Sequence, residues 1–251
     1  MAGTMGTTLM RMLVTRPEPD AQWTLARLEA LGIEAIATPV MTRQILDTSL
    51  PPPDGFTAMV LTSANAVRAL VERGVVERYS HLPVFAVGDR TANDASQAGF
   101  VKVSSAAGAF QDLVNAMTIA RVPGPIFYPA GKHQSADLAK ALAPLGVMVA
   151  TAKVYEMVAV EALPGPVLAA LTEGSIHAVL AYSRRTAEIF AALASPLDAA
   201  RRRQIAMLCM SEAVAEPLLA ARFSRISLAD RPDEDAMMSL ALAFSREQTG
   251  P

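Results

Sequence analysis

Six short junctions in this sequence place hydroxyl, glycine or cationic residues where an apolar run gives way to a helix-like pattern. They are Thr15-Arg16-Pro17, Thr62-Ser63-Ala64, Gly88-Asp89-Arg90-Thr91, Ala130-Gly131-Lys132, Ser183-Arg184-Arg185 and Met210-Ser211-Glu212. The first amides of a helix lack intrahelical partners, and the dipole there favours negative charge. Small, hydroxyl or cationic side chains beside such amides can hold carboxylates. Each junction also has an ordinary reading. Ser63, Ser183 and Ser211 suit N-caps. Arg16, Lys132 and Arg184 suit solvated surface charges. Gly88 and Gly131 suit tight turns.

Other chemistries find no support. No GxGxxG, GxxxxGKS/T or GxSxG motif occurs, so nucleotide and serine-nucleophile fingerprints fail. His81, His133 and His177 show no HxH or HxxxH spacing. A single cysteine, Cys209, excludes a disulfide framework within the chain and a Cys-rich zinc site. Asp233-Glu234-Asp235 precedes a helical pattern and reads as a solvated cap. An enzyme made of these parts works by holding and shaping its substrate, without metal or cofactor.

The elements that must position the junctions alternate along the chain. "RMLVT" reads as a buried strand, and Pro17-Glu18-Pro19-Asp20 opens a helix with Asp20 as N-cap. Gly32 stops that helix, and "IEAIATPV" is the next strand. "MTRQILDTSLPPPDGF" is polar and then proline-rich, and reads as a linker. From Phe56 the rhythm resumes: strands at "TAMVLTS", "PVFAVGD", "FVKVS", "GPIFYPAG", "VMVATAKVYEMVA", "IHAVLAYS", "QIAMLCMS" and "SRISLA", with helices between and after them. This alternation implies an α/β fold with parallel sheets covered on both faces. Ligands then sit outside the carboxyl ends of the strands, where the six junctions fall.

Three segments also recur in order. "LEALGIEAIATPV" resembles "LAPLGVMVATAKV", "AMVLTSANAVRAL" resembles "AVLAYSRRTAEIF", and "VFAVGDRTANDASQAGF" resembles "AMLCMSEAVAEPLLAARF". The simplest account is two similar lobes. Lobes that offered their strand ends to one cleft would suit a large polyanion.

Composition bounds the partners. With 22 Lys+Arg against 24 Asp+Glu, the net charge is −2, so no general basic field favours nucleic acid or an anionic membrane. No apolar run reaches the roughly 18 residues of a membrane span. The start, "MAGTMGTTLMRMLVTRP", lacks the basic and apolar regions of a signal peptide. Its first ten residues are expected to be disordered, and Met5 or Met10 are alternative starts. Sparse cysteine suits a reducing cytoplasm. The acidic pI and the lack of an apolar stripe favour a monomer.

"MLVTRPEPDA", "VLTSANAVRAL", "VFAVGDRTANDASQAGF" and "KVYEMV", followed by "AVLAYSRRTAEIF" and "AMLCMSEAVAEPLL", together resemble uroporphyrinogen-III synthase, over roughly Met12 to Phe244. The resemblance implies two α/β lobes with parallel sheets flanked by helices, joined by a two-stranded β linker. One lobe would be discontinuous, 1–37 with 164–251, and the other 48–151, with linker strands at 38–47 and 152–163. It implies cyclisation of a linear tetrapyrrole, hydroxymethylbilane, with loss of water and inversion of ring D, and no cofactor. Tyr155 matches the tyrosine implicated as acid, against a packing role. Arg16, Ser63, Ser183 and Ser211 match substrate-contact positions, and Thr91, Lys132 and Arg184 join them as candidates. Where many members carry an arginine, this chain has Ala130, and Lys132 and His133 are the candidates to replace that charge. Cys209-Met210 also departs from a more usual apolar–glycine pair. Two rivals are a non-catalytic tetrapyrrole or anion-binding protein of the same fold and a flavodoxin-like phosphate enzyme. The missing phosphate fingerprints weigh against the second.

Overall fold

Strands buried on both faces read as unbroken apolar runs, because successive side chains point to opposite sides. This chain follows that rule. The computed structural model describes residues 10–134 and 136–249, so the disorder expected of the first ten residues lies outside the described residues for nine of them, while Met10, expected disordered too, is buried in the core. In chain order the elements are β1 (Arg11–Val14), α1 (Asp20–Ala30), β2 (Glu34–Ala37), β3 (Met41–Ile45), β4 (Ala58–Leu61), α2 (Ala64–Glu72), α3 (Val76–Tyr79), β5 (Val84–Ala86), α4 (Asp89–Ala98), β6 (Val103–Ser105), α5 (Phe110–Ile119), β7 (Ile126–Gly131) and α6 (Leu138–Leu142). They continue with β8 (Val149–Ala159), α7 (Gly165–Glu173), β9 (Ala178–Ala181), α8 (Arg184–Leu193), α9 (Ala199–Gln204), β10 (Ala206–Cys209), α10 (Glu212–Ala220), β11 (Arg225–Leu228) and α11 (Glu234–Thr249).

The chain divides into two compact units. One joins the N-terminal segment through Thr42 to the segment from Ala159 onward, and the other spans Arg43–Val158. The chain passes from one to the other inside β3 and again near the end of β8.

The first unit holds a parallel sheet in the order β11-β10-β9-β1-β2. Its strands feed two cores alternately. Leu13, Val179, Ala181, Met207 and Cys209 face α7, α8 and α10, with Phe190 and Phe223. Met12, Val14, Ala178, Leu180, Ala206 and Leu208 face α1 and α11, with Leu28, Met237 and Phe244. Each fully buried side chain of this size contributes about 1.5–3 kcal/mol.

The middle unit has the order β3-β8-β7-β4-β5-β6, parallel from β8 through β6. The bonds Leu46 N→Val154 O and Val160 N→Val40 O run in opposite senses, so β3 lies antiparallel to β8 at the edge. Met59, Leu61, Phe127 and Val154 pack with α2 and Tyr79 on one face. Val60, Ile126, Tyr128 and Ala130 pack with α5 and α6 on the other.

Two expectations need correction. Composition alone reads the stretch that holds β3 as a linker, although the family resemblance implies a strand at 38–47. Its Met41, Arg43 and Ile45 face inward while Thr42 and Gln44 are exposed, so the strand is half polar. Asp20 is not the cap of α1: Pro19 holds that position, and no side chain caps it. The Asp20 carboxylate accepts a bond from Arg16 instead. The short helices α3 and α9 had no periodic signal, at four and six residues.

Candidate functional site

In the middle unit, the C-terminal ends of β4, β5 and β7 surround a pocket of about 260 Å³. Thr62, Ser63, Val87, Phe110, Tyr128, Gly131, His133, Gln134, Ala136 and Tyr155 line it. A parallel sheet turns all these strand ends the same way, so residues far apart in sequence meet at one edge. A second hollow, lined by Val122, Pro123, Gly124, Gly146 and Val147, lies at the start of β7 and β8, where no such junction exists.

The pocket is rich in hydroxyls. The Thr62 and Tyr128 hydroxyls lie 2.9 Å apart. One O–H hydrogen serves that bond, which leaves the pair a second donor. The Tyr128 ring is buried in the core below. Burial pushes its phenol above the usual range, the Thr62 bond pulls it back somewhat, and Tyr155 nearby pushes it up again. It therefore stays protonated at neutral pH. Ser63 is the N-cap of α2, and its Oγ accepts from Asn65 N at 3.2 Å.

Charge stands beside the pocket. Lys132 Nζ donates to Glu156 at 2.9 Å, and His133 Nε2 lies 3.6 Å from the same carboxylate. The Lys132 bond, followed by the charges of Lys132 and His133, holds Glu156 below its ordinary range. His133 lines the pocket whereas Lys132 does not. Ala130 is buried in the core against α5 and α6, with no room for an arginine-sized side chain in that arrangement. Thr91 is buried within α4 and is not on the pocket lining.

In the other unit, the residues after β1 and β9 form a polar network. Arg16 donates to Glu234 at 2.6 Å, to Thr24 at 3.1 Å and to Asp20 at 3.2 Å, and its guanidinium sits 4.1 Å over the Tyr182 ring. Glu234 also accepts from Thr24 at 3.0 Å and Tyr182 at 3.1 Å. Burial, then the Glu234 charge, raises the Tyr182 phenol well above its usual range. Arg16 is only 14% exposed, and two carboxylates compensate it, so it is no solvated charge. The acidic run before α11 is likewise not simply solvated. Asp233 accepts from Ala236 N as a cap, and Asp235 pairs with Arg27, but Glu234 is the hub of the network.

Ser183 caps α8, accepting from Thr186 N at 3.2 Å. Arg184 is exposed and paired with Glu188 and Glu216. Ser211 stands at the N-cap of α10, yet its side chain makes no capping bond. The structure thus gathers Tyr155 and Ser63 in one pocket with His133, and it places Arg16, Ser183, Arg184 and Ser211 in the other unit. Tyr128 escaped the sequence reading, which named Thr62 only as part of a junction and Glu234 only as part of a solvated cap. A tyrosine inside a buried strand was the one available signal, since a buried phenol seeks a partner. Among the described residues no group of three or more His, Cys, Asp or Glu is placed to hold a metal ion. Among the same described residues no helix is long and apolar enough to cross a membrane.

Comparison with known proteins accords with this geometry. The structure resembles uroporphyrinogen-III synthetase from Helicobacter pylori, at 17% identity and a TM-score of 0.64, over 94% of this chain and 99% of that one. It also resembles a mutant uroporphyrinogen III synthase from the extremely thermophilic bacterium Thermus thermophilus, at 16% identity and a TM-score of 0.54, over 95% and 99% of the two chains. At such identities these likenesses speak for the fold alone. No curated protein matches significantly. The model of the family "Uroporphyrinogen-III synthase HemD" matches residues 24–239, and the chain belongs to that family.

Proposed function

We propose that Tyr155 is the acid with which this member of the uroporphyrinogen-III synthase family closes hydroxymethylbilane to uroporphyrinogen III. One observation carries the reading: the Tyr155 side chain lines a pocket with the Thr62–Tyr128 hydroxyl pair, at the strand edge where the fold gathers its helix starts. In the proposed step the phenol hydrogen-bonds to the terminal hydroxyl of the substrate. The C–O bond breaks, and the hydroxyl leaves as water with the phenol's proton. The pyrrole N–H gives up a proton through solvent, which restores the phenol and leaves a neutral azafulvene. Attack from ring D through a spiro intermediate then closes the inverted macrocycle. Choosing this closure over the type I product is a problem of confinement, where positioning is worth most.

For the acetate and propionate arms, the middle unit offers the α2 amides beside Ser63, with His133 and Lys132. Lys132 engages an arm by sharing or leaving Glu156. Thr91 contributes through the start of α4. Carried over from the family's pattern, Arg16, Ser183 and Ser211 are contacts in the other unit, and Arg184 joins them from its place at the start of α8. Arg16 takes a carboxylate only by exchanging Asp20 or Glu234. The reading has the enzyme act as a cytoplasmic monomer without nucleic acid, supported by its single buried cysteine and near-neutral charge.

The test is isomer analysis of the oxidised product together with Tyr155→Phe. Wild-type enzyme should give the type III isomer, and Tyr155→Phe should lower kcat about tenfold or more. Type I product alone, as in an enzyme-free control, would remove the activity. An undiminished rate in Tyr155→Phe would make the residue a packing one.

A further inference from the structure

Gly131 ends β7 inside the pocket. It is not among the glycines with positive φ, so its backbone is open to any residue. The space beside it is not. A Cβ built on Gly131 would lie 2.8 Å from Cζ of Tyr155, 2.9 Å from its phenolic oxygen and 3.1 Å from Cε2. Real Cβ atoms essentially never show the two shorter distances, the third is tight, and all three atoms belong to the phenol end of one side chain. The ring of Tyr155 therefore occupies the volume a side chain at 131 would need.

Tyr155 reaches this place through a break in strand register. β7 and β8 pair Ala130 with Lys153, and then Gly131 with Tyr155, so Val154 is an extra residue. A bulge of this kind re-aims the residues that follow it. Here Val154 is in the core against α2, and Tyr155 packs against that same core, although neighbours in a regular strand point to opposite faces. Past the bulge, Lys132 N donates to Tyr155 O at 2.8 Å, which fixes the backbone on both sides of the contact. The core below limits where the ring could retreat.

We propose that Gly131 and the β8 bulge at Val154 form a seat that holds the Tyr155 phenol at its reacting position, so that Gly131 is a positioning residue for the reaction. The proposal rests on Tyr155 being the acid. Proton transfer requires hydrogen-bond reach, and a displacement of about 1 Å can cost on the order of a hundredfold in rate. A methyl group at 131 must move the phenol, because the phenol is the free end of the contact and the strand is not.

The experiment uses Gly131→Ala, Tyr155→Phe and the double variant, with steady-state kinetics and fluorine NMR of protein carrying 3-fluorotyrosine. The chain has four tyrosines, and the Tyr155 signal is the one lost in Tyr155→Phe. Gly131→Ala should move that signal while the Tyr79 and Tyr182 signals stay. It should lower kcat about tenfold or more with KM within about twofold, and it should cost nothing further in the Tyr155→Phe background. A slow Tyr155→Phe with an unmoved Tyr155 signal in Gly131→Ala, or an equal loss from Gly131→Ala in both backgrounds, overturns the seat alone. A Tyr155→Phe enzyme as fast as wild type overturns the acid reading, and the proposal with it. Should Gly131→Ala not fold, Gly131→Ala with Tyr155→Ala decides. Its folding supports the contact, and its failure to fold overturns it.

Discussion

The strand–helix junctions after β4 and β9 start from nearly the same local design and end in different chemistry. Both put a serine at the N-cap, Ser63 and Ser183, and both serines accept a helix amide. The preceding residue makes the difference. After β4 it is Thr62, whose small hydroxyl meets Tyr128 on the neighbouring strand and leaves a pocket above. After β9 it is Tyr182, whose ring underlies Arg16 and whose hydroxyl bonds Glu234, so that charge, ring and carboxylate close on one another. One junction keeps a donor to spare, and the other uses its groups internally. Repetition of a backbone motif therefore does not repeat its function: the size of one side chain decides whether the edge is open.

The largest stability effect should come from breaking the closed network. Glu234→Ala removes the acceptor of Arg16, Thr24 and Tyr182 together, and leaves a mostly buried guanidinium with Asp20 as its one remaining carboxylate beside Thr24 and the Tyr182 ring. A loss of about 2–4 kcal/mol is expected from denaturant midpoints. A loss under about 1 kcal/mol would show that the network is solvated, as its sequence suggests. Alkaline pH probes the same contrast. The folded phenols of Tyr182 and Tyr128 titrate above their unfolded values. Their contribution to stability is full below about pH 10, and it is lost as pH rises through the folded values. Tyr182→Phe should make the fold less sensitive to pH above that point. Phenol absorbance that rises fully near pH 10, before unfolding, would contradict the burial.

The open junction should respond less, and in a coupled way. Thr62→Val leaves the Tyr128 hydroxyl buried without its partner, and should cost about 1–2 kcal/mol. Tyr128→Phe alone should cost a similar amount. The double variant should cost clearly less than the two together, because each single change orphans the other group. Additive losses would mean that the two hydroxyls do not bond in solution.

Much of this is legible in the amino-acid sequence. Apolar runs such as "AVLA" and "AMLC" announced strands buried on both faces, because nothing else about four-residue runs matters to a covered parallel sheet. Ser63, Ser183 and Ser211 sit at helix starts as their type predicts. What escaped detection depends on neighbours across the sheet. Thr62 and Tyr128 are separated by 66 residues, and no local period records that they meet. Arg16 reads as a surface cation until Glu234, 218 residues away, is placed against it. Composition alone hid β3, because an edge strand with one exposed face resembles a polar linker; only the family resemblance implied a strand there. Gly131 reads as a turn glycine. Only the bulge in β8 reveals that its missing side chain makes room for a ring.

The smallest effects test the three serines against each other. Ser63 and Ser183 each satisfy a helix amide, so Ser63→Ala and Ser183→Ala should each cost about 1 kcal/mol. Ser211 holds the same position without making the bond, so Ser211→Ala should change stability by less than about 0.5 kcal/mol. Thermal or denaturant midpoints of the three variants settle the order. Equal losses at all three would make Ser211 a third structural cap. A neutral Ser211→Ala that nonetheless weakens turnover would assign its hydroxyl to the substrate, because a hydroxyl that makes no cap and carries no stability acts on turnover through what it binds.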